Sequence, residues 1–190
     1  MSVKDKEKWN KKYQNNLIPN TAVKLVTDNA KLATGNKALD IACGIGRNSI
    51  YLASLGFNVD ALDVSSVAIN RLKNMEGIHA KEVDFDTYTL NENSYNLIVC
   101  TFFLKRELFP QIIKALKKDG ILIYETFVYH SDNEFTPSNR SFLLEKGELK
   151  AAFSSDLNII YIDEYWDTLM KGGKSMKVSM VAKKGSQKIS

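Results

Sequence analysis

Two glycines and three acids carry the chemistry legible in this chain. Gly44 and Gly46 stand in the run Asp40-Ile41-Ala42-Cys43-Gly44-Ile45-Gly46-Arg47-Asn48. Without Cβ atoms they let the backbone approach a ligand and adopt positive φ, and a helix opening behind them offers unpaired amide N–H groups. Asp40 lies within an apolar stretch. A charge there is costly unless it meets a cation or hydrogen-bond donors, so it points to a partner such as a ligand's ammonium group. Asp63 ends the next apolar stretch, where nucleotide-binding sheets place an acid to accept from ribose hydroxyls. Asp84 ends a third, followed by Phe85, which could cover a flat base. A plain tight turn with solvated or capping aspartates is the alternative for each feature alone. Three acids at successive strand ends beside one glycine turn favour a common ligand.

The elements that must position these residues alternate. A helix is expected from about Lys4 to Tyr13. A second, capped by Asn20, runs through Leu32 and ends at Gly35. Residues 37–42 read as a buried strand, 43–46 as a tight turn and Arg47 to Leu55 as a helix closed by Gly56. A strand from Phe57 to Asp63 precedes a helix capped by Ser65 and ending near Met75. Ile78 to Val83 is a half-polar strand, and Tyr95 to Thr101 has the continuous apolar run of a strand buried on both faces. A helix over Leu108 to Leu116 and a turn at Asp119-Gly120 lead to a strand from Ile121 to Phe127. After an irregular stretch from Tyr129 to Lys146 come a helix over Glu148 to Phe153 and a strand from Leu157 to Trp166. A turn at Lys171-Gly172-Gly173-Lys174 then gives a last strand, Met176 to Ala182, and an antiparallel hairpin at the sheet edge. Strands alternating with helices require right-handed crossovers and a mostly parallel sheet covered on both faces.

The acceptor of any reaction is less legible. Candidates for acid–base work or acceptor binding near the open end of the sheet are Glu125, Tyr124, His130 and Arg106. Arg106 and Arg140 suit an anion, and an exposed or structural role is the alternative for each. Bulk composition sets limits. The 190 residues carry a net charge of +4, with 44% hydrophobic and 25% charged residues. These values fit one globular domain, 1–190, with a helical cap over 1–34 and a core over 35–190. No apolar run approaches the ~20 residues of a membrane helix, and the charged start lacks a signal peptide's apolar stretch. A cytoplasmic location is expected. The two cysteines, Cys43 and Cys100, sit in apolar segments, which suits a reducing compartment; no metal site is expected. No basic stripe interleaves with aromatics, so nucleic acid is not the expected partner.

The run from Leu39 to Asn48 resembles the first motif of the class I S-adenosylmethionine (SAM)-dependent methyltransferases, in the form found near the tellurite-resistance branch. The resemblance extends from Trp9 to the terminal hairpin. It implies a doubly wound α/β sheet, seven-stranded and mostly parallel, with a C-terminal antiparallel hairpin. It implies SAM as cofactor and S-adenosylhomocysteine as product. Asp40, Gly44 and Gly46 would serve the methionine part, Asp63 the ribose, and Asp84 with the Phe85 backbone the adenine. Thr101 would line the wall near the sulfonium. Arg47, Asn48 and Val64 join the cofactor set, and Trp9 and Tyr13 would belong to an N-terminal helix closing over it. Ser49 stands where a nicotinamide-binding turn would place a third glycine, and no Asn-Pro-Pro-aromatic run follows the fourth strand. The resemblance therefore implies methyl transfer to a small molecule, such as a thiol, oxyanion or metalloid. A SAM-binding module without turnover and an RNA-modifying enzyme are the alternatives.

Overall fold

The computed structural model describes residues 3–15, 19–168 and 172–185. Seven strands form one sheet: β1 (Lys37–Ile41), β2 (Asn58–Asp63), β3 (Ile78–Glu82), β4 (Tyr95–Thr101), β5 (Leu116–Phe127), β6 (Leu157–Thr168) and β7 (Lys174–Lys184). Their order is β3-β2-β1-β4-β5-β7-β6. The first five run parallel, and β7 enters antiparallel between β5 and β6. The doubly wound sheet with an antiparallel terminal hairpin is therefore observed. Lys171, expected in the hairpin turn, lies outside the described residues.

Among the described residues six α-helices accompany the sheet: α1 (Val3–Gln14), α2 (Lys24–Asn29), α3 (Arg47–Ser54), α4 (Ser66–Leu72), α5 (Phe109–Ala115) and α6 (Glu148–Phe153). The strand period of two divides the core. One face carries Ala38, Leu97, Val99, Ile121, Ile123 and Val181 beneath Val26, Ala30 and Leu52. The other carries Leu39, Ile41, Ile98, Cys100, Leu122 and Tyr124 against Leu108, Ile112, Leu149 and Phe153. Burial on both faces accounts for the near-continuous apolar runs of β1 and β4.

Three expected boundaries move by three residues or more. Asn20 caps no helix: α2 begins after Val23, whose side chain cannot cap, and the Val23 N–H is taken by Asn48 Oδ1 at 3.0 Å. The helix capped by Ser65 ends at Leu72 rather than near Met75, because Asn74 and Gly77 adopt positive φ. Strand β5 starts at Leu116, with Asp119-Gly120 absorbed as an irregularity between the pairs Tyr95–Leu116 and Leu97–Ile121.

Sequential strands step outward from β1 to β2 and β3, then return to β4 on its other side. That reversal opens a crevice beyond the carboxyl ends of β1 and β4, where open α/β sheets bind ligands.

Candidate functional site

The glycine turn sits at this crevice. Gly46 takes φ +81° at the start of α3, and a Cβ there would meet Leu72 Cδ2 at 2.3 Å. Gly44 takes φ +56°, and its absent Cβ would lie 2.9 Å from the Tyr13 hydroxyl. Helix α1 thus lowers Tyr13 onto the turn, where it is 6% exposed. Trp9 stacks on the Tyr13 ring at 5.5 Å. Arg71 donates to the Tyr13 carbonyl at 2.7 Å, and Asn10 Oδ1 accepts from Ser65 Oγ at 2.6 Å. Burial first, then the charge of Asp63, raises the Tyr13 hydroxyl far above its ordinary range.

Asp63 braces the turn. Its Oδ2 accepts from Gly44 N–H and its Oδ1 from Ser65 N–H, both at 2.8 Å. Burial raises its pKa against these amide bonds, to which Val64 N–H adds. Asp40 is deeper. Ser49 donates to it through its hydroxyl, at 2.6 Å, and through its backbone N–H, and burial pushes its pKa to about 7, with Ser49 opposing and the charge of Asp63 adding. Asp40 is a carboxyl poised to ionise once a positive charge arrives. Ser49, which in sequence marks only a missing third glycine, is its partner; the signal for that role is its place on the inward face of α3, nine residues after Asp40.

Asn48 and Thr101 close the β1–β4 side. Asn48 Nδ2 donates to Thr101 Oγ1 at 3.0 Å while Asn48 Oδ1 holds Val23. Both ends of the Asn48 amide are thus engaged in joining α2, α3 and β4. One other expectation is corrected. The Phe85 ring is not open to a flat base: it is 2% exposed and packs on Phe103 at 5.3 Å. Asp84 is half-buried at the tip of β3 and accepts from Asp86 N–H at 2.9 Å.

The acceptor-side candidates separate. Tyr124 is fully buried on the α5–α6 face, donates to the Phe103 carbonyl at 2.9 Å, and is a core residue. Arg106 is no anion site: it grips Glu148 with two nitrogens at 2.5 and 2.9 Å and donates to the carbonyls of Ser141 and Leu143. Arg140 pairs with Glu145 and lies over the Tyr129 ring at 3.8 Å. His130 packs edge-on against Trp166 at 4.8 Å, its Nδ1 accepting from Asp132 N–H. Glu125 points to the opposite face from Tyr124 and accepts from Ser179 Oγ at 2.8 Å. Ser179 and its neighbour Tyr165 are not apparent in the sequence, because only strand pairing brings them beside Glu125.

A separate cleft of about 540 Å³ opens at the other end of the sheet, lined by Ile50, Ala53, Phe57, Met75 and Ile78. It contains none of these residues. Among the described residues no cluster of His, Cys, Asp and Glu could hold a metal ion, and no helix is long and apolar enough to cross a membrane.

A reversing seven-stranded sheet with a glycine turn and acids at its tips defines the class I methyltransferase fold. The family described as "Tellurite resistance protein TehB" matches residues 1–180, and the chain belongs to it. A protein of Haemophilus influenzae named "Probable S-adenosyl-L-methionine-dependent methyltransferase TehB" is 34% identical over 157 residues, 77% of this chain and 54% of its own length. The crystal structure of TehB from Haemophilus influenzae superposes with a TM-score of 0.73 at 27% identity, covering 94% of this chain and 66% of that one. A "tRNA (uracil(54)-C(5))-methyltransferase" of Pyrococcus abyssi is 32% identical over 107 residues, 54% of this chain and 26% of its own. The chain spans about half the length of the TehB relative.

Proposed function

We propose that the protein transfers a methyl group from SAM to a small acceptor, releasing S-adenosylhomocysteine. One observation carries the reading: a fully buried carboxyl, Asp40, held by the neutral hydroxyl and backbone amide of Ser49, sits behind a glycine turn at the sheet's switch point. The donor set fits SAM, whose methionine end and sulfonium bring positive charge and whose ribose brings hydroxyls. When bound, SAM supplies a methyl group already activated on positively charged sulfur.

The chain's own work is then positioning. Asp40 offers negative charge to the cationic end of the cofactor. The Gly44 and Gly46 backbone accommodates close approach. Asp63 holds the turn through the amides of Gly44, Val64 and Ser65 and offers its carboxylate to the ribose, while Asp84 and the backbone at Phe85 border the base. Thr101, fixed by Asn48, forms the wall beside the reacting carbon. Tyr13 and Trp9 on α1 cover the turn and limit water. In-line alignment of acceptor and methyl supplies much of the acceleration.

Incubation with SAM and a panel of small nucleophiles should release S-adenosylhomocysteine. Calorimetric SAM binding without any release would favour the non-catalytic module. Asp63→Ala should weaken S-adenosylhomocysteine binding by about 1–3 kcal/mol, since two buried amides lose their acceptor. An unchanged calorimetric affinity would remove Asp63 from the site.

A further inference from the structure

Two opposite charges lie at one aromatic residue, Phe102, at the acceptor end of the sheet without forming an ion pair. Glu125, at the end of β5, is 6% exposed, and it is held by hydroxyls, Ser179 Oγ at 2.8 Å and that of Tyr165. Tyr165 Oη lies 3.3 Å from the same Ser179 Oγ, and burial is the first cause that raises its pKa to about 12, so it stays a neutral hydroxyl. Arg47, the first residue of α3, brings a cation to the positive end of a helix, where the macrodipole disfavours it. Its guanidinium lies over the Phe102 ring at 5.2 Å. Burial disfavours its charge, while Asp40 and then Glu125 favour it. Among the described residues, neither Arg47 nor Glu125 has an oppositely charged group within the 4.0 Å of an ion pair.

Phe102 stands at the same place and is itself held against its preference. It has φ +56°, a left-handed conformation a phenylalanine rarely adopts, fixed by its N–H donating to the Glu125 carbonyl at 2.7 Å. Lys177, over the same ring at 4.8 Å, is already paired with Asp167. A cation at the wrong helix end, a buried carboxylate without a cation and a strained aromatic thus converge beside Thr101. Local costs gathered at one point mark a site that a ligand completes.

We propose that Arg47 and Glu125 form a split pair that receives the methyl acceptor as a small zwitterion, its carboxylate on Arg47 and its amine on Glu125. The inference rests on the methyl-transfer reading and deepens it by naming an amino-acid-like acceptor class. Phe102 and Phe127, 5.6 Å apart, supply apolar walls for the linker between the two charges. Ser179 and Tyr165 are positioning residues, acting through Glu125.

The test titrates the full chain by calorimetry with glycine, β-alanine and γ-aminobutyrate, and with ethylamine and propionate as the two half-ligands. Each titration is run with and without saturating S-adenosylhomocysteine. One ω-amino acid should bind about tenfold or more tighter than either half, because only it joins both charges. Glu125→Gln and Arg47→Gln should each erase that advantage; Ser179→Ala should reduce it, with Ser179→Thr restoring it. Equal binding of zwitterion and halves overturns the proposal, and this comparison uses the unaltered chain. Binding of propionate that needs Arg47 and ignores Glu125 also overturns it, in favour of an anion site. A loss of S-adenosylhomocysteine affinity in Glu125→Gln would overturn it by returning the pair to the cofactor. Failure of the unaltered chain to bind S-adenosylhomocysteine would instead sink the methyltransferase reading, while the titrations without it still judge the pair.

Discussion

The β1–β2 tips and the β5–β7 tips handle buried charge in opposite ways. At β1 and β2, the carboxyl groups are held by donors from the same local unit: Gly44 and Ser65 amides on Asp63, and the Ser49 hydroxyl on Asp40. At β5 and β7, Glu125 and Arg47 lie near each other without closing, and the groups around them come from four separate elements. A locally braced region is preorganised and suits a cofactor that does not change. A region with open charges is completed by what binds there, so acceptor choice can vary without disturbing the turn.

The largest expected effect tests the braced half. Gly46→Ala would put a Cβ 2.3 Å from Leu72 Cδ2, in a fully buried side chain, at φ +81°. Strain at positive φ and overpacking together should cost about 2–4 kcal/mol of stability. Urea unfolding at constant m-value measures it. A loss below about half a kcal/mol would mean that the turn is loose and that preorganisation is no basis for the contrast.

A second effect sharpens the contrast through pH. Asp40 has its folded pKa raised to about 7, so the folded ligand-free chain binds more protons than the unfolded chain between about pH 4 and pH 7. Stability from this group is therefore fully present below the unfolded value and lost as pH rises through 7. Arg47, Asp63, Tyr13, Cys43 and Cys100 share its field. Binding a cation favours the ionised form. Affinity for SAM should accordingly rise by up to about tenfold per unit of pH below 7, with proton release on binding, and level off above it. Asp40→Asn should flatten that dependence. A pH-independent affinity in the unaltered chain would show that Asp40 does not meet the cofactor's charge.

The same contrast explains how much of the fold and the site is legible in the sequence. The glycine turn, Asp40, Asp63 and the Ser65 cap lie within one stretch of 26 residues, 40–65, and their chemistry follows from neighbours in the chain. Sheet class and hairpin follow from periodicity. Ser179 and Tyr165 are hidden because their partners come through β7 and β6 registers. Tyr124 and Glu125 are equal candidates in sequence, and β5 turns one to each face: strand alternation separates them, but only helix packing says which face is the core. Phe85 fails as a base cover for a related reason, since the strand tip turns its ring onto Phe103. Asn48 reads as a ligand contact because the motif ends there, whereas its amide spans Val23 and Thr101.

The smallest expected effect concerns Arg106, which equals Arg47 in charge but not in commitment. Its guanidinium holds both oxygens of Glu148 and two carbonyls, tying the segment after β5 to α6. Glu148 is held below the usual carboxylate range by Arg106. The pair is partly exposed, with side chains at 40% and 23%, so screening limits its worth. Arg106→Ala should lower stability by about 1 kcal/mol or less and leave S-adenosylhomocysteine affinity unchanged, whereas Arg47→Gln should spare stability and remove acceptor binding. Thermal unfolding and calorimetry on both variants decide between a guanidinium that fastens the fold and one that waits for a ligand. If Arg106→Ala loses acceptor binding at an unchanged Tm, the division between committed and open charges is drawn in the wrong place.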